Sequence, residues 1–434
     1  MKKVLIITYY WPPSGGIGVN RCLKFAKYLR GFNWEPVIYT AENADYPYFD
    51  EDNIKQVPEN VTVLKKRIIE PFRLYKFFSG KKRDEAMNNP IHARDGKRKF
   101  INNISIWIRG NFFIPDARAL WIRPSVKYLS KYLKENHVDA ILTDGPPHTN
   151  TVIACKLSKK FNIPWLADFQ DPWTQVDYYK FLKLTKWADK KHRRLEQETF
   201  KTAKKFTIAS PTWKGELEQI GAKNVDVIFW GYDEDDFKTL NKNLNTKFSI
   251  YHAGLLGFDR HPGTLLKVLA ELKNEIPEFG DKLEIKLAGF IDYSINETID
   301  KLGLADNLNY LGTIKRQSAL EHTINSQILL LLINKAENAC GRIPGKLFEL
   351  MRSKRPILTL GTDKSDVQGI ITKTNTGEYF DYDDHQKIKN YIKIKYELFV
   401  KGQNNVTSLV DIQEYSVENQ TRKIGGYLDS ITTA

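Results

Sequence analysis

The chain alternates short apolar runs with amphipathic helical stretches from one end to the other. Residues 4–8 form an apolar run, a loop with Gly15 and Gly16 follows, and residues 19–30 then carry Cys22, Phe25, Ala26 and Leu29 on one helical side. The same order returns late in the chain, where residues 328–333 are six consecutive aliphatic residues. An apolar run this short reads as a buried parallel strand and not as a membrane span. Strands separated throughout by helices cannot pair as hairpins, so the pattern predicts a doubly wound parallel sheet.

Two such series are present. Strands are expected at 4–8, 36–40, 61–65, 140–143, 164–167, 206–209 and 225–229, and again at 248–252, 283–288, 308–311, 328–333, 357–360 and 377–380. Residues 231–246 are rich in Asn and Asp without an apolar period and read as a linker. The expected organisation is an α/β chain of two Rossmann-like domains, 1–240 and 245–411, with a closing helix in 412–434 that returns to the first domain. A length of 434 residues is sufficient for two substantial cores. Sheets of this kind bind ligands beyond the carboxyl ends of their strands, and a cleft between two facing domains is the natural place for one.

Hydrophobic content of 41% and charged content of 27% suit a globular protein. Cys22, Cys155 and Cys340 are far apart and in no metal spacing, which points to a reducing cytoplasm. The amino terminus does not have the form of a signal peptide. The formal net charge of +14 is concentrated: residues 65–135 hold 18 Lys or Arg against 6 Asp or Glu, mixed with Phe72, Trp107, Phe112 and Trp121. Basic residues interleaved with Trp and Phe favour an anionic membrane surface, so a peripheral position at the inner face of the cell membrane is expected. A solvated insertion with inward-packed rings is the plain alternative. Nucleic acid is not an expected partner, because no recognition motif accompanies the charge.

The stretch from Gly341 to Glu349 concentrates candidate chemistry. It follows the 328–333 strand, contains Gly341, Ile343 and Gly345 in a loop, and enters a helix behind Pro344. A helix start aims backbone N–H groups at an anion, and Lys346 adds a cation at the same place. Glu349, three residues on, shares the helix face of Lys346 and is suited to two neighbouring sugar hydroxyls. Phosphate at the tip and a diol one turn inward make half of a nucleotide-sugar site; an ordinary strand–helix unit with a surface Lys–Glu pair is the alternative. The Gly15–Gly16 loop lets backbone approach a ligand but lacks the full dinucleotide fingerprint, which argues against an oxidoreductase.

Laid out together, these residues resemble the GT-B glycosyltransferases, and among them the retaining family-four enzymes of bacterial cell-surface glycan biosynthesis. The resemblance rests on Gly345-Lys346-Leu347-Phe348-Glu349 with Arg355-Pro356-Ile357-Leu358, on the Ala253-Gly254 turn, on Ala167-Asp168-Phe169-Gln170-Asp171-Pro172-Trp173 and on Gly231-Tyr232-Asp233. It implies that Glu349 holds the ribose, that Lys346 and Arg260 meet the donor diphosphate, that Gly15, Gly16 and Gly254 line its path, and that His148 faces the cleft, to orient the acceptor or to stabilise the sugar cation through its backbone carbonyl. Phe290 and Thr313 are then expected near the base. The family's first motif glutamate falls on Gly341, so the sugar contact must come from the backbone of 341–343 or from Glu337. Asp168 and Asp171 are candidates for the acceptor or for holding their loop. Two Asp-x-Asp patterns, at Asp233 and Asp381, read as turn caps, and no metal is expected. No cofactor is expected beyond a nucleotide-diphosphate sugar as co-substrate, with a glycan or lipid-linked acceptor. A nucleotide-sugar epimerase and a non-catalytic binding protein of the same architecture are the rival readings.

Overall fold

The computed structural model describes residues 1–70, 96–335, 339–362, 365–403 and 411–433, with side chains from 103 onward in the helix that begins at Gly96. Packing divides it into two units, Met1–Phe229 with Val417–Ala434, and Trp230–Ser416.

The first unit carries seven parallel strands: β1 (Lys2–Ile7), β2 (Trp34–Ala41), β3 (Thr62–Lys66), β4 (Ala140–Gly145), β5 (Trp165–Phe169), β6 (Lys205–Ile208) and β7 (Val225–Val227). Their order is β3-β2-β1-β4-β5-β6-β7, so the winding reverses between β1 and β4, where Val4 pairs with Ala140. The unbroken apolar character of β1 has a direct cause. Leu5 and Ile7 enter one core with Ile141, Ala167 and Phe169, while Val4 and Ile6 enter the other with Ala140, Leu142 and Leu166. A strand covered on both faces has no polar side to show.

The closing helix, Val417–Thr432, completes that second face with Ile424, Leu428 and Ile431. Gln420 Oε1 accepts from the Phe229 amide at 2.9 Å, and Lys2 Nζ meets Asp429 Oδ1 at 3.0 Å. A long basic helix runs from Lys186 to Thr202, with Thr185 capping the Ala188 amide at 3.3 Å, behind a 3-10 stretch at Asp177–Leu182. A threonine hydroxyl that satisfies a helix-start amide sets the boundary more sharply than apolar period does. The basic segment contains a further helix, Gly96–Phe112; Phe72, Tyr75, Phe77 and Phe78 of that segment lie outside the described residues.

The second unit carries six parallel strands: β8 (Phe248–Ala253), β9 (Leu283–Ala288), β10 (Leu308–Gly312), β11 (Ile328–Leu332), β12 (Ile357–Gly361) and β13 (Gly377–Asp381). Their order is β10-β9-β8-β11-β12-β13, with the reversal between β8 and β11 at the Ile250–Ile328 pair. Residues after Phe229 belong to this unit: Tyr232 N donates to Tyr415 O at 3.1 Å, and Arg352 pairs with Glu234 at 2.7 Å. No helix of the described residues is long and apolar enough to cross a membrane.

Candidate functional site

In the second unit the loops leaving β8, β9 and β10 run side by side. Gly254 N donates to Ala288 O at 2.9 Å and Gly289 N to Gly312 O at 2.8 Å. Gly254 and Gly289 both have positive φ, 130° and 104°. A Cβ on Gly289 would collide with the Gly254 carbonyl, so the two backbones approach as only glycine permits.

Lys346 opens the Lys346–Arg352 helix and reaches back over this turn. Its Nζ donates to Ala253 O at 3.1 Å, and a Cβ on Gly254 would lie 3.5 Å from that nitrogen. The expectation of an open cation with free helix-start amides is corrected here. The Lys346 amine is half-buried and already bonded, and the amides of Leu347 and Phe348 donate to Pro344 O and Gly345 O at 2.9 and 3.3 Å. Burial, then the nearby charge of Arg260, pushes the Lys346 pKa down to about 7, with Glu349 opposing the shift.

Glu349 is half-buried, and its Oε1 is gripped by the guanidinium of Arg316, the first residue of the Arg316–Asn325 helix. Arg316 also reaches Asp236 Oδ2 at 2.9 Å. Two carboxylates around one guanidinium hold its pKa above the ordinary arginine value against the cost of burial. Neither Arg316 nor Asp236 carries a local signal in the sequence. Arg260 lies on its own neighbour, with Nε and Nη2 at 3.2 and 3.0 Å from the Asp259 carboxylate. Phe290 and Thr313 are exposed, and Gly341, Ile343 and Gly345 are buried. Glu337 lies outside the described residues. His252, missed in the sequence, is buried at the end of β8 with Nδ1 3.0 Å from Leu330 O; burial and then the Lys346 charge hold it well below the usual imidazole range.

The first unit presents different material. Gly15 N donates to Tyr48 O at 2.8 Å, and the space where a Cβ would stand is filled by the Tyr48 ring. Gly15 is therefore explained by internal packing, which corrects its reading as a ligand-approach residue. Gly16 has a φ of 80° and precedes the Ile17–Tyr28 helix with open space around it. His148 is buried, stacked on Trp173 with ring centroids 4.4 Å apart and edge-on to Phe169 at 5.0 Å. Burial lowers its pKa to about 3, so the ring is neutral near pH 7. Its carbonyl accepts the Val152 amide at 3.1 Å at the start of the helix that follows. Nδ1 has no hydrogen-bond partner among the described residues.

Asp168 is buried and fully engaged: Arg21 grips both of its oxygens, at 2.7 Å for the Nη2 contact, and Thr207 Oγ1 donates at 2.6 Å. Arg21 also donates to Ile228 O at 3.0 Å, so this pair ties the first helix to β5, β6 and the end of β7. Asp171 is half-buried and close enough to Tyr178 to raise that phenol, second to burial. Nearby Asp144 is buried, accepts from Thr8 Oγ1 at 2.9 Å and Asn150 Nδ2 at 2.8 Å, and is pushed up to about 7 mainly by burial.

Asp233 Oδ1 accepts the Asp235 amide and Asp381 Oδ1 the Asp383 amide, each at 3.0 Å. Among the described residues no group of three His, Cys, Asp or Glu side chains is placed to hold a metal.

No protein-family model and no curated protein matches this sequence. Solved structures do match in fold. HepE of Anabaena in complex with UDP aligns at a TM-score of 0.57 and 12% identity, over 100% of this chain and 98% of that one. An S. aureus TarM variant bound to fondaparinux, α-GlcNAc-glycerol and UDP aligns at 0.59 and 12%, over 99% and 100%. A putative UDP-N-acetylglucosamine 2-epimerase from Listeria monocytogenes aligns at 0.55 and 11%, over 99% and 96%. The chain has the GT-B fold of two parallel α/β sheets.

Proposed function

We propose that the chain is a glycosyltransferase that moves a sugar from a nucleoside diphosphate sugar to a glycan or lipid-linked acceptor. In this reading it acts with retention of configuration, without a metal, in building a cell-surface polysaccharide such as lipopolysaccharide, at the inner face of the membrane. The observation that carries it is Lys346 Nζ lying over Gly254, with Glu349 one turn along the same helix and held by Arg316.

Breaking a sugar–phosphate bond develops negative charge on the leaving diphosphate, and a cation already in place lowers that barrier. Lys346 suits this task because its amine is half-buried and half-titrated near neutral pH. A diphosphate beside it favours the charged form, so donor binding above pH 7 takes up a proton. Arg260 supplies a second charge by exchanging contacts with Asp259 for phosphate oxygen. Glu349 accepts the ribose hydroxyls, and Arg316 is a positioning residue that fixes the carboxylate. The backbone of 341–343 contacts the sugar, with Phe290 and Thr313 beside the base. On the first unit the neutral His148 ring stands on the acceptor side, and Asp171 is the acceptor-side carboxylate; Asp168 serves the fold. The fold shared with UDP-bound HepE and TarM supports the choice of donor.

The test is thermal stabilisation by a panel of nucleoside diphosphate sugars, followed by transfer assays with the donor that stabilises. Stabilisation by none of them ends the reading. The Listeria likeness favours one rival, an epimerase. Appearance of an isomerised sugar nucleotide from donor alone would replace transfer with that activity. Calorimetric binding without turnover would leave a binding protein.

A further inference from the structure

Two segments distant in sequence build one exposed apolar face on the first unit. Ile104, Trp107, Ile108 and Phe112 are exposed on the Gly96–Phe112 helix, at spacings that share a side. The end of this helix is fastened to residues 183–185: Asn111 Oδ1 accepts from Thr185 N at 2.7 Å, and its Nδ2 donates to Lys183 O at 3.2 Å. A Cβ on Gly110 would sit 2.8 Å from Leu182 O, so backbone meets backbone there. The stretch held in this way exposes Phe181 by 50% and Trp187 by 63%, and the helix fastened to it exposes Phe112 by 67%.

The surrounding charge is predominantly positive. From Tyr178 to Leu195 there are seven Lys or Arg and one Asp. Lys180 Nζ lies 5.3 Å from the Phe181 ring centre and Lys191 Nζ 4.9 Å from that of Trp187. An ammonium beside each ring is the arrangement that places the ring at a bilayer's headgroup boundary and the charge on lipid phosphate. A cluster of large rings left open to water otherwise carries a cost that monomers avoid.

We infer that this face docks the protein on a bilayer containing anionic lipid. The inference deepens the membrane part of the proposed function and rests on that part alone. Vesicle binding measured without donor or acceptor therefore succeeds or fails independently of sugar transfer.

The experiment uses the full chain with sucrose-loaded vesicles of phosphatidylcholine, alone or with about 30% phosphatidylglycerol. Binding is expected to the anionic vesicles, weakened by salt. Phe112→Ser/Phe181→Ser/Trp187→Ser should lower the partition coefficient about tenfold or more. Lys180→Gln/Lys183→Gln/Lys186→Gln should lose the preference for anionic lipid. Quenching of wild-type tryptophan emission by brominated lipid gives a readout that needs no variant. The inference is overturned by wild-type levels of binding in the serine variant, by absence of quenching, or by a dimer that the serine variant converts to monomer without any vesicle binding in the wild type.

Discussion

The loop that leaves β1 and the loop that leaves β8 hold the same place in their sheets, each at the strand where the winding reverses, and they are made of opposite materials. After β1 come Tyr9, Tyr10 and Trp11, and the glycine that follows is filled by the Tyr48 ring. After β8 comes Gly254, with bare backbone on one side and the Lys346 amine on the other. One switch point is closed by rings and buried ion pairs, the other is kept narrow in backbone and rich in cation. Common topology therefore supplies the place, and local residues decide what lines it.

The contrast is sharpest between two Arg–carboxylate pairs. Arg21 and Asp168 have side chains 2% and 1% exposed, whereas Arg316 and Glu349 are 31% and 25% exposed. Asp168→Asn should destabilise the first unit by about 3–5 kcal/mol, because it strands a buried guanidinium. Arg316→Met should cost about 1 kcal/mol or less in stability while weakening donor binding. Chemical denaturation of both variants measures this, and equal losses would erase the distinction.

Lys346→Met comes next in size. Transfer should fall by about a hundredfold or more in kcat/KM, since the cation meets charge that develops in the reaction. Without ligand the variant should be at least as stable as wild type at pH 7, measured by melting, because it removes a charge that burial disfavours.

The same two regions should answer pH with opposite slopes. The Asp144 pKa is raised from 3.8 to about 7, so the folded state binds more protons and stability falls as pH rises from about 4 to about 7. The Lys346 pKa is lowered from 10.5 to about 7, so the unfolded state binds more protons and stability rises from about pH 7 to about 10. Asp144→Asn should flatten the first window and Lys346→Met the second in denaturation profiles. A profile unchanged by either substitution would remove that group from the account.

The smallest effect expected is at the glycines. Gly16→Ala and Gly254→Ala should each cost about 1 kcal/mol for positive φ. Only the second should also weaken nucleotide binding, because only Gly254 faces the Lys346 amine. Calorimetric titration of both variants separates them.

The strand pattern was readable because Leu5 and Val4 are both apolar, and residues pointing to both faces of a strand can be so only when both faces are covered. The start of the basic helix does have a local signal, the Thr185 hydroxyl placed to cap the amide three residues on. Glu349 and Lys346 were picked out together because a helix brings i and i+3 onto one side. Arg316, 33 residues from Glu349, was not, because nothing local links them. The stack of His148 on Trp173, and the burial that keeps its ring neutral, come from packing and have no signature in local order.

By itself the sequence determined two parallel α/β units, because hydrophobic period acts over a few residues and is written continuously along the chain. Only the tertiary structure decided which charges are spent. Asp168 is cancelled by Arg21 from 147 residues away, Glu349 is gripped by Arg316, and Lys346 is set against Ala253 and Gly254. Partners of that kind are chosen by how strands and helices pack, and the energy of a charge depends on its burial and its neighbours, neither of which has a signature in local order.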